Sequence, residues 1–148
     1  MSWTRVVVGI DGSAGSKRAL AWAAAEAREH EAELYVVMAY TVPIPPMATV
    51  GYGAPPWRAD EEWRADAEAL LRETLTESLG DPRGETSGLK VRSVIVEGSP
   101  AKTLIDASQR SDLLVVGTRG HGGFAGMLLG SVSQHLTAHA ACTVAVVR

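Results

Sequence analysis

Five short strand-like runs, separated by stretches of helical spacing, set the strongest limit on how this chain can fold. The runs are Val6–Ile10, Leu34–Tyr40, Val91–Val96, Leu113–Val116 and Thr143–Val147. Val6–Ile10 is β-branched and Leu113–Val116 wholly apolar, as buried strands are, while Val91–Val96 alternates, with Val91, Ser93 and Ile95 on one face and Arg92, Val94 and Val96 on the other. After the first run, Asp11-Gly12-Ser13 makes a turn. Ser16 is placed to cap a helix reaching about Glu29, with Leu20, Ala23, Ala24 and Ala27 at helical intervals. A second helix starts near Asp60, where three acidic residues suit the positive helix end, and Trp63, Ala67, Leu70, Leu71 and Leu75 line one face. Ser99-Pro100 has an N-cap followed by a proline at the first helical position, and the helix it opens carries Leu104, Ile105 and Ser108 inward. A last helix spans about Ser131 to Ala140. Strands that alternate with helices in this way need crossover connections. The expectation is therefore an α/β fold: a mostly parallel sheet with helices on both faces.

At 148 residues and 46% hydrophobic, the chain has material for one core, read as a single domain over 1–148. The proline- and glycine-rich segment at 41–57 is read as a long loop within that domain, because the first two strands cannot bury both their faces alone. The net charge of −3 and the scattered basic residues exclude the clustered footprint of a nucleic-acid binder. No apolar run approaches a membrane span, and the one near the N-terminus is too short for a signal-peptide core. The expected location is the cytoplasm. Cys142 is the single cysteine, so a disulfide within the chain is impossible.

The segment Gly117 to Ser131, GTRGHGGFAGMLLGS, carries the chemistry. Gly117 ends an apolar run, Gly120 follows after two residues, and Gly130-Ser131 comes after nine more, where a helix begins. A strand, a glycine loop and a helix N-terminus together form an anion site. The glycines let backbone N–H groups come close, and the unpaired amides at the positive helix end favour phosphate. The bland alternative is a flexible surface loop. Two better-known motifs do not fit. A Walker loop needs lysine just before the serine, but Gly130 is there and Lys102 is the last lysine of the chain. Gly120 to Ala125 matches a dinucleotide pattern by chance, since it follows the fourth run and no helix starts directly after it.

The spacing G-x2-G-x9-G-[ST], filled by Gly117, Gly120, Gly130 and Ser131, resembles the ATP-binding signature of the universal stress protein family. The likeness extends through VVVGIDGS, VEGSPAKTLIDAS, DLLVVGTRGHGG and GSVSQHLTAHAACTVAVV. It implies a Rossmann-like open sheet of five strands in order 3-2-1-4-5, usually dimeric, with a ligand crevice at the carboxyl ends of strands 1 and 4. It also implies an adenine nucleotide ligand, ATP with Mg as candidate companion, and a set of residues around it. Asp11 lies by the ribose and the candidate metal, and Ala39 borders the adenine. Val116 and Gly117 pack near the sugar, and Gly120, Gly130, Ser131, Val132 and Ser133 surround the phosphates. Arg119 and His121, inside the loop, are further phosphate candidates. Asp11 has a plainer reading as a turn residue bonding its own backbone.

Other residues invite sharper readings. His135 and His139 have metal-ligand spacing, but without a third ligand a solvated or interface pair is the better reading. Cys142 has no neighbouring charge in sequence to activate it and is read as inert. Trp57 and Trp63 are read as anchors of the long loop rather than a base-stacking platform. The run 143–147 makes an apolar sheet edge without proline or lysine, which calls for pairing with a second copy across a two-fold axis. The leading function is an ATP-occupied stress-response regulator, a sensor dimer presenting its state to a protein partner. The alternatives are a slow ATPase or phosphotransferase, a nucleotide-independent scaffold, and a cyclic-AMP binder.

Overall fold

The computed structural model of the protein describes residues 2–42, 60–81, 88–118 and 130–148. In chain order the elements are β1 (Arg5–Ile10), α1 (Ala14–Glu29), β2 (Glu33–Tyr40), α2 (Asp60–Leu79), β3 (Lys90–Glu97), α3 (Pro100–Ser108), β4 (Leu113–Gly117), α4 (Ser131–His139) and β5 (Thr143–Val147). The five strands form one sheet in the order β3-β2-β1-β4-β5, and every adjacent pair is parallel. The expected architecture is the observed one. The loop expected at 41–57, with Trp57, falls outside the described residues beyond Val42.

Period-two alternation along the strands divides the core into two layers. Val6, Val8, Leu34 and Val36 face α1 and α2, meeting Leu20, Ala23 and Ala24 of the first helix and Leu71 and Leu75 of the second. Val7, Val37, Leu114 and Val116 face the other way, onto Leu104 of α3 and Leu136 of α4. Burial of both faces explains why β1 and β4 read as unbroken apolar runs rather than alternating ones. The expected inward positions of α3 hold for Leu104 and Ser108, while Ile105 is half-buried. Thr74 of α2 is also fully buried, its hydroxyl donating to the Leu70 carbonyl at 2.7 Å. This back-bond lets a polar residue sit in the apolar stripe.

The strand ends agree with expectation to within a residue, and the start of α1 differs more. Helix α1 starts at Ala14, capped by Ser13 rather than Ser16. The Ser13 hydroxyl accepts from the Ser16 amide at 3.2 Å, and the Ser16 hydroxyl donates back to the Ser13 carbonyl at 2.9 Å. Ser16 thus lies in the first turn, where both serines can be satisfied together.

At the N-terminal end of the sheet a single carboxylate clamps β1 to the start of β4. Asp112 Oδ2 accepts from the Thr4 amide and hydroxyl, each at 2.7 Å, and from the Arg5 amide at 2.9 Å. The Asp112 amide donates to the Arg5 carbonyl at 3.0 Å. The Thr4 hydroxyl, followed by the Arg5 and Thr4 amides, holds the carboxyl below its ordinary value. A lowered folded-state pKa means that this contribution is present above the unfolded value of about 3.9 and is lost as pH falls through the folded value. Asp112→Ala is expected to cost about 1–2 kcal/mol at pH 7, discounted for partial exposure, with the deficit shrinking toward pH 2. Urea midpoints of both proteins across that range check this; a deficit that does not change with pH contradicts it.

Candidate functional site

The clamp at one end of β1 and β4 contrasts with the opposite end of the same two strands. Their register runs over Val6–Leu113, Val7–Leu114 and Val8–Val115 and stops there. Beyond it Gly9 and Ile10 pair only with β2, and Val116 and Gly117 only with β5. The strands therefore part at their carboxyl ends, and the connections that follow lead to α1 on one face and α4 on the other. This is the switch point of an open parallel sheet, where such folds place their ligands.

Several groups converge on this opening. From β1 the chain enters the turn Asp11-Gly12-Ser13. The Asp11 Oδ1 accepts from the Ser13 amide at 2.9 Å, so its carboxylate shapes the turn that starts α1. Gly12 has φ +80, a backbone conformation that favours glycine, and a Cβ there would lie 2.8 Å from Leu70 Cδ1, the end of a side chain that can shift. From β4, Gly117 comes against the first turn of α1. A Cβ on Gly117 would sit 2.9 Å from both the carbonyl carbon and the oxygen of Gly15. This glycine is required for backbone to meet backbone across the switch point.

The glycine loop departs and returns at the same place. The Thr118 amide donates to the Val147 carbonyl at 3.1 Å, and the Thr118 carbonyl accepts the Gly130 amide at 2.5 Å. Residues 119–129, including Arg119, Gly120 and His121, fall outside the described residues. Gly130 is the N-cap of α4 and has no side chain with which to cap it. The helix therefore opens on amide groups with no side-chain cap from that position. Ser131 is exposed, Val132 is half-buried, and Ser133 is buried at 4% exposure. The Ser133 hydroxyl donates to the Gly117 carbonyl at 2.6 Å, a contact that motif spacing alone did not reveal.

Ala39 lies at the carboxyl end of β2, half-buried and in register with Val96. Val116 is in the core beneath the opening. The structure thus gathers Asp11, Val116, Gly117, Gly130, Ser131, Val132 and Ser133 at one end of β1 and β4, with Ala39 one strand away. A second concavity of about 320 Å³ lies elsewhere, between α3 and the outer strand β3, lined by Tyr35, Val37, Val94, Val96, Lys102 and Asp106 among others. It contains none of the switch-point residues.

The remaining candidates resolve simply. The His135 and His139 rings on the exposed face of α4 lie 4.6 Å apart between centroids, tilted by 46°, and among the described residues no three potential ligands converge on a metal site. Burial pushes the half-buried Cys142 thiol up, with the Asp112 charge adding to the effect, which lowers the thiolate fraction a nucleophile needs. Trp63 is half-buried in α2. Among the described residues no helix is long and apolar enough to cross a membrane.

Known proteins share this fold. The model of the universal stress protein family matches residues 2–148. A universal stress protein of Mycolicibacterium smegmatis is 38% identical over 143 residues, covering 96% of this chain and 47% of that protein. The chain thus spans about half the length of this relative. One from Thermus aquaticus, named for its position in the 3′ region of a QAH/OAS sulfhydrylase, is 34% identical and is covered over 97% of both chains. A universal stress protein whose crystal structure was solved in complex with cAMP superposes with a TM-score of 0.69 at 29% identity, covering all of this chain and 98% of the other. Matched from end to end in sequence and strand order, the chain belongs to the universal stress protein family.

Proposed function

We propose that the protein is an ATP-binding regulatory protein of the cytoplasm, holding the nucleotide at the opening between β1 and β4. One observation carries this reading. The register of β1 and β4 stops at Val8–Val115, and α4 starts beside the resulting gap with an N-cap, Gly130, that has no side chain to cap it. Backbone amides at a positive helix end bind phosphate without a lysine. The relative solved with cAMP supports an adenine nucleotide as the class of ligand. In this reading the amides of Ser131, Val132 and Ser133 face the phosphates, with Gly120, Gly130 and Arg119 around them. Val116 and Gly117 border the sugar, Ala39 borders the adenine, and Asp11 stands by the ribose and a Mg ion carried with ATP.

Binding without rapid turnover follows from the same residues. Phosphoryl transfer requires charge neutralisation and a group that orients the nucleophile. The motif has glycine where a Walker lysine would stand, and Asp11 already holds the turn into α1. ATP incubated with the protein and Mg is expected to be recovered as ATP. ADP release above about 1 per second, ordinary for an enzyme, would overturn the sensor reading.

The unit that presents this state to a protein partner is a two-fold dimer joined through β5. The two sheet edges differ in the charge that discourages pairing. Edge strand β3 carries Lys90, Arg92 and Glu97, whereas β5 carries only Thr143, Val144, Ala145, Val146 and Val147. Light scattering is expected to give twice the chain mass; a monodisperse monomer at micromolar concentration contradicts the dimer.

A further inference from the structure

The last strand residue before the glycine loop, Gly117, is a junction. Its Cα side touches the Gly15 backbone of α1, and its carbonyl accepts the Ser133 hydroxyl of α4 at 2.6 Å. The next residue, Thr118, bonds β5 through its amide and Gly130 through its carbonyl. Two helix N-termini and both ends of the loop are thus tied to Gly117, the last residue of β4, and to Thr118 directly after it.

A serine hydroxyl has one proton to donate. While the Ser133 proton lies on the Gly117 carbonyl it is not available to a phosphate oxygen, which accepts but does not donate when fully ionised. Ser131, two residues earlier and exposed, has no such commitment among the bonds of the described residues. From this division we infer that the two serines of the motif do different work. Ser133 is a positioning residue whose hydroxyl clasps α4 to β4 and so sets the direction in which the helix amides point, and Ser131 is the hydroxyl left for the phosphates. This inference rests on the nucleotide reading above for its effect on affinity, but the clasp itself does not.

The test measures affinity for adenosine, AMP and ATP in the wild type, Ser131→Ala and Ser133→Ala, together with thermal melting and amide exchange at Gly130. Loss of the clasp is expected to weaken AMP and ATP by the same factor, about two- to tenfold, to lower the melting temperature and to speed Gly130 exchange. Ser131→Ala should leave melting and exchange unchanged, weaken ATP more than AMP, and spare adenosine. Ser133→Cys, similar in volume with a weaker donor, should fall between wild type and alanine and serves if the alanine variant folds poorly. A Ser133→Ala loss that grows with phosphate number while melting and exchange stay at wild-type values overturns the inference. So does a variant unchanged in every readout. If the wild type binds none of the three ligands, the nucleotide reading fails, and melting and exchange still decide the clasp.

Discussion

Gly117→Val is expected to lower the melting temperature by about 6–12 °C, corresponding to roughly 3 kcal/mol in a chain of this size. The reason is contact with backbone rather than with a side chain. A Cβ at this position already falls 2.9 Å from the Gly15 carbonyl carbon and oxygen, and valine adds two methyl groups beyond it. A flexible neighbour could rotate away, but the first turn of α1 cannot. It is held by the Ser13 cap, the Ser16 back-bond and the Asp11 turn. Either α1 lifts from the sheet, uncovering Leu20 and Ala23, or β4 shifts out of register with β1. Gly117→Ala should produce a smaller loss in the same direction. A valine variant melting within about 2 °C of wild type would mean that the close approach is not a constraint.

Leu136→Ala is expected to cost about 2–5 kcal/mol and to weaken nucleotide binding more than tenfold. Helix α4 has nine residues, too few to be stable alone, and only Ser133 and Leu136 are buried. Leu136 is fully inaccessible, packed in the layer of Val7, Leu114 and Leu104. Truncating it leaves a cavity under the helix whose N-terminus supplies the proposed phosphate amides. Leu75→Ala is the control. Leu75 is buried to 1% exposure in the opposite layer, so its loss should destabilise comparably while sparing affinity at temperatures where both variants are folded. Chemical denaturation and ATP titration of the pair measure the two effects separately. Equal affinities in the two variants would show that the position of α4 does not control the site.

The fold was legible in the sequence because its signals are local and repeated. Each strand announces itself as a short apolar or alternating run, and Ser99-Pro100 marks the start of α3 as found. Strand order was not read from these runs; it came with the family resemblance, which rests on the glycine spacing together with stretches along the whole chain. Local signals failed at Ser13 and Ser16, two good caps three residues apart. The choice depends on which hydroxyl reaches which amide, and in the folded chain the two serines share the work. At the site, the motif marked Gly117 and Gly130 but not the reason each is glycine. Gly117 answers to Gly15, about a hundred residues away in sequence, and no local pattern encodes that contact. The Ser133 bond to Gly117 bridges 16 residues and was hidden for the same reason. The Asp112 clamp joins residues 107 and 108 positions apart, and composition gives no hint of it.

These long-range contacts give the two ends of the β1–β4 pair opposite characters. Asp112 ties the strands together where they begin, and the register ends at Val8–Val115 before either strand is finished. A rigid base under an open end is a suitable frame for a ligand that must be held by backbone amides, because such donors cannot adjust by changing rotamers. In the proposed reading, binding then depends on where α4 begins, and hence on Gly130.

Calorimetric titration of ATP with Mg into the wild type and Gly130→Val tests the account most directly. Gly130 is buried, with φ −72 and ψ 167, a backbone that valine can adopt, so the substitution adds bulk at the helix start without forcing a strained conformation. The account predicts saturable binding to the wild type at one site per chain and none to a variant that remains folded. Equal binding to both proteins would contradict it.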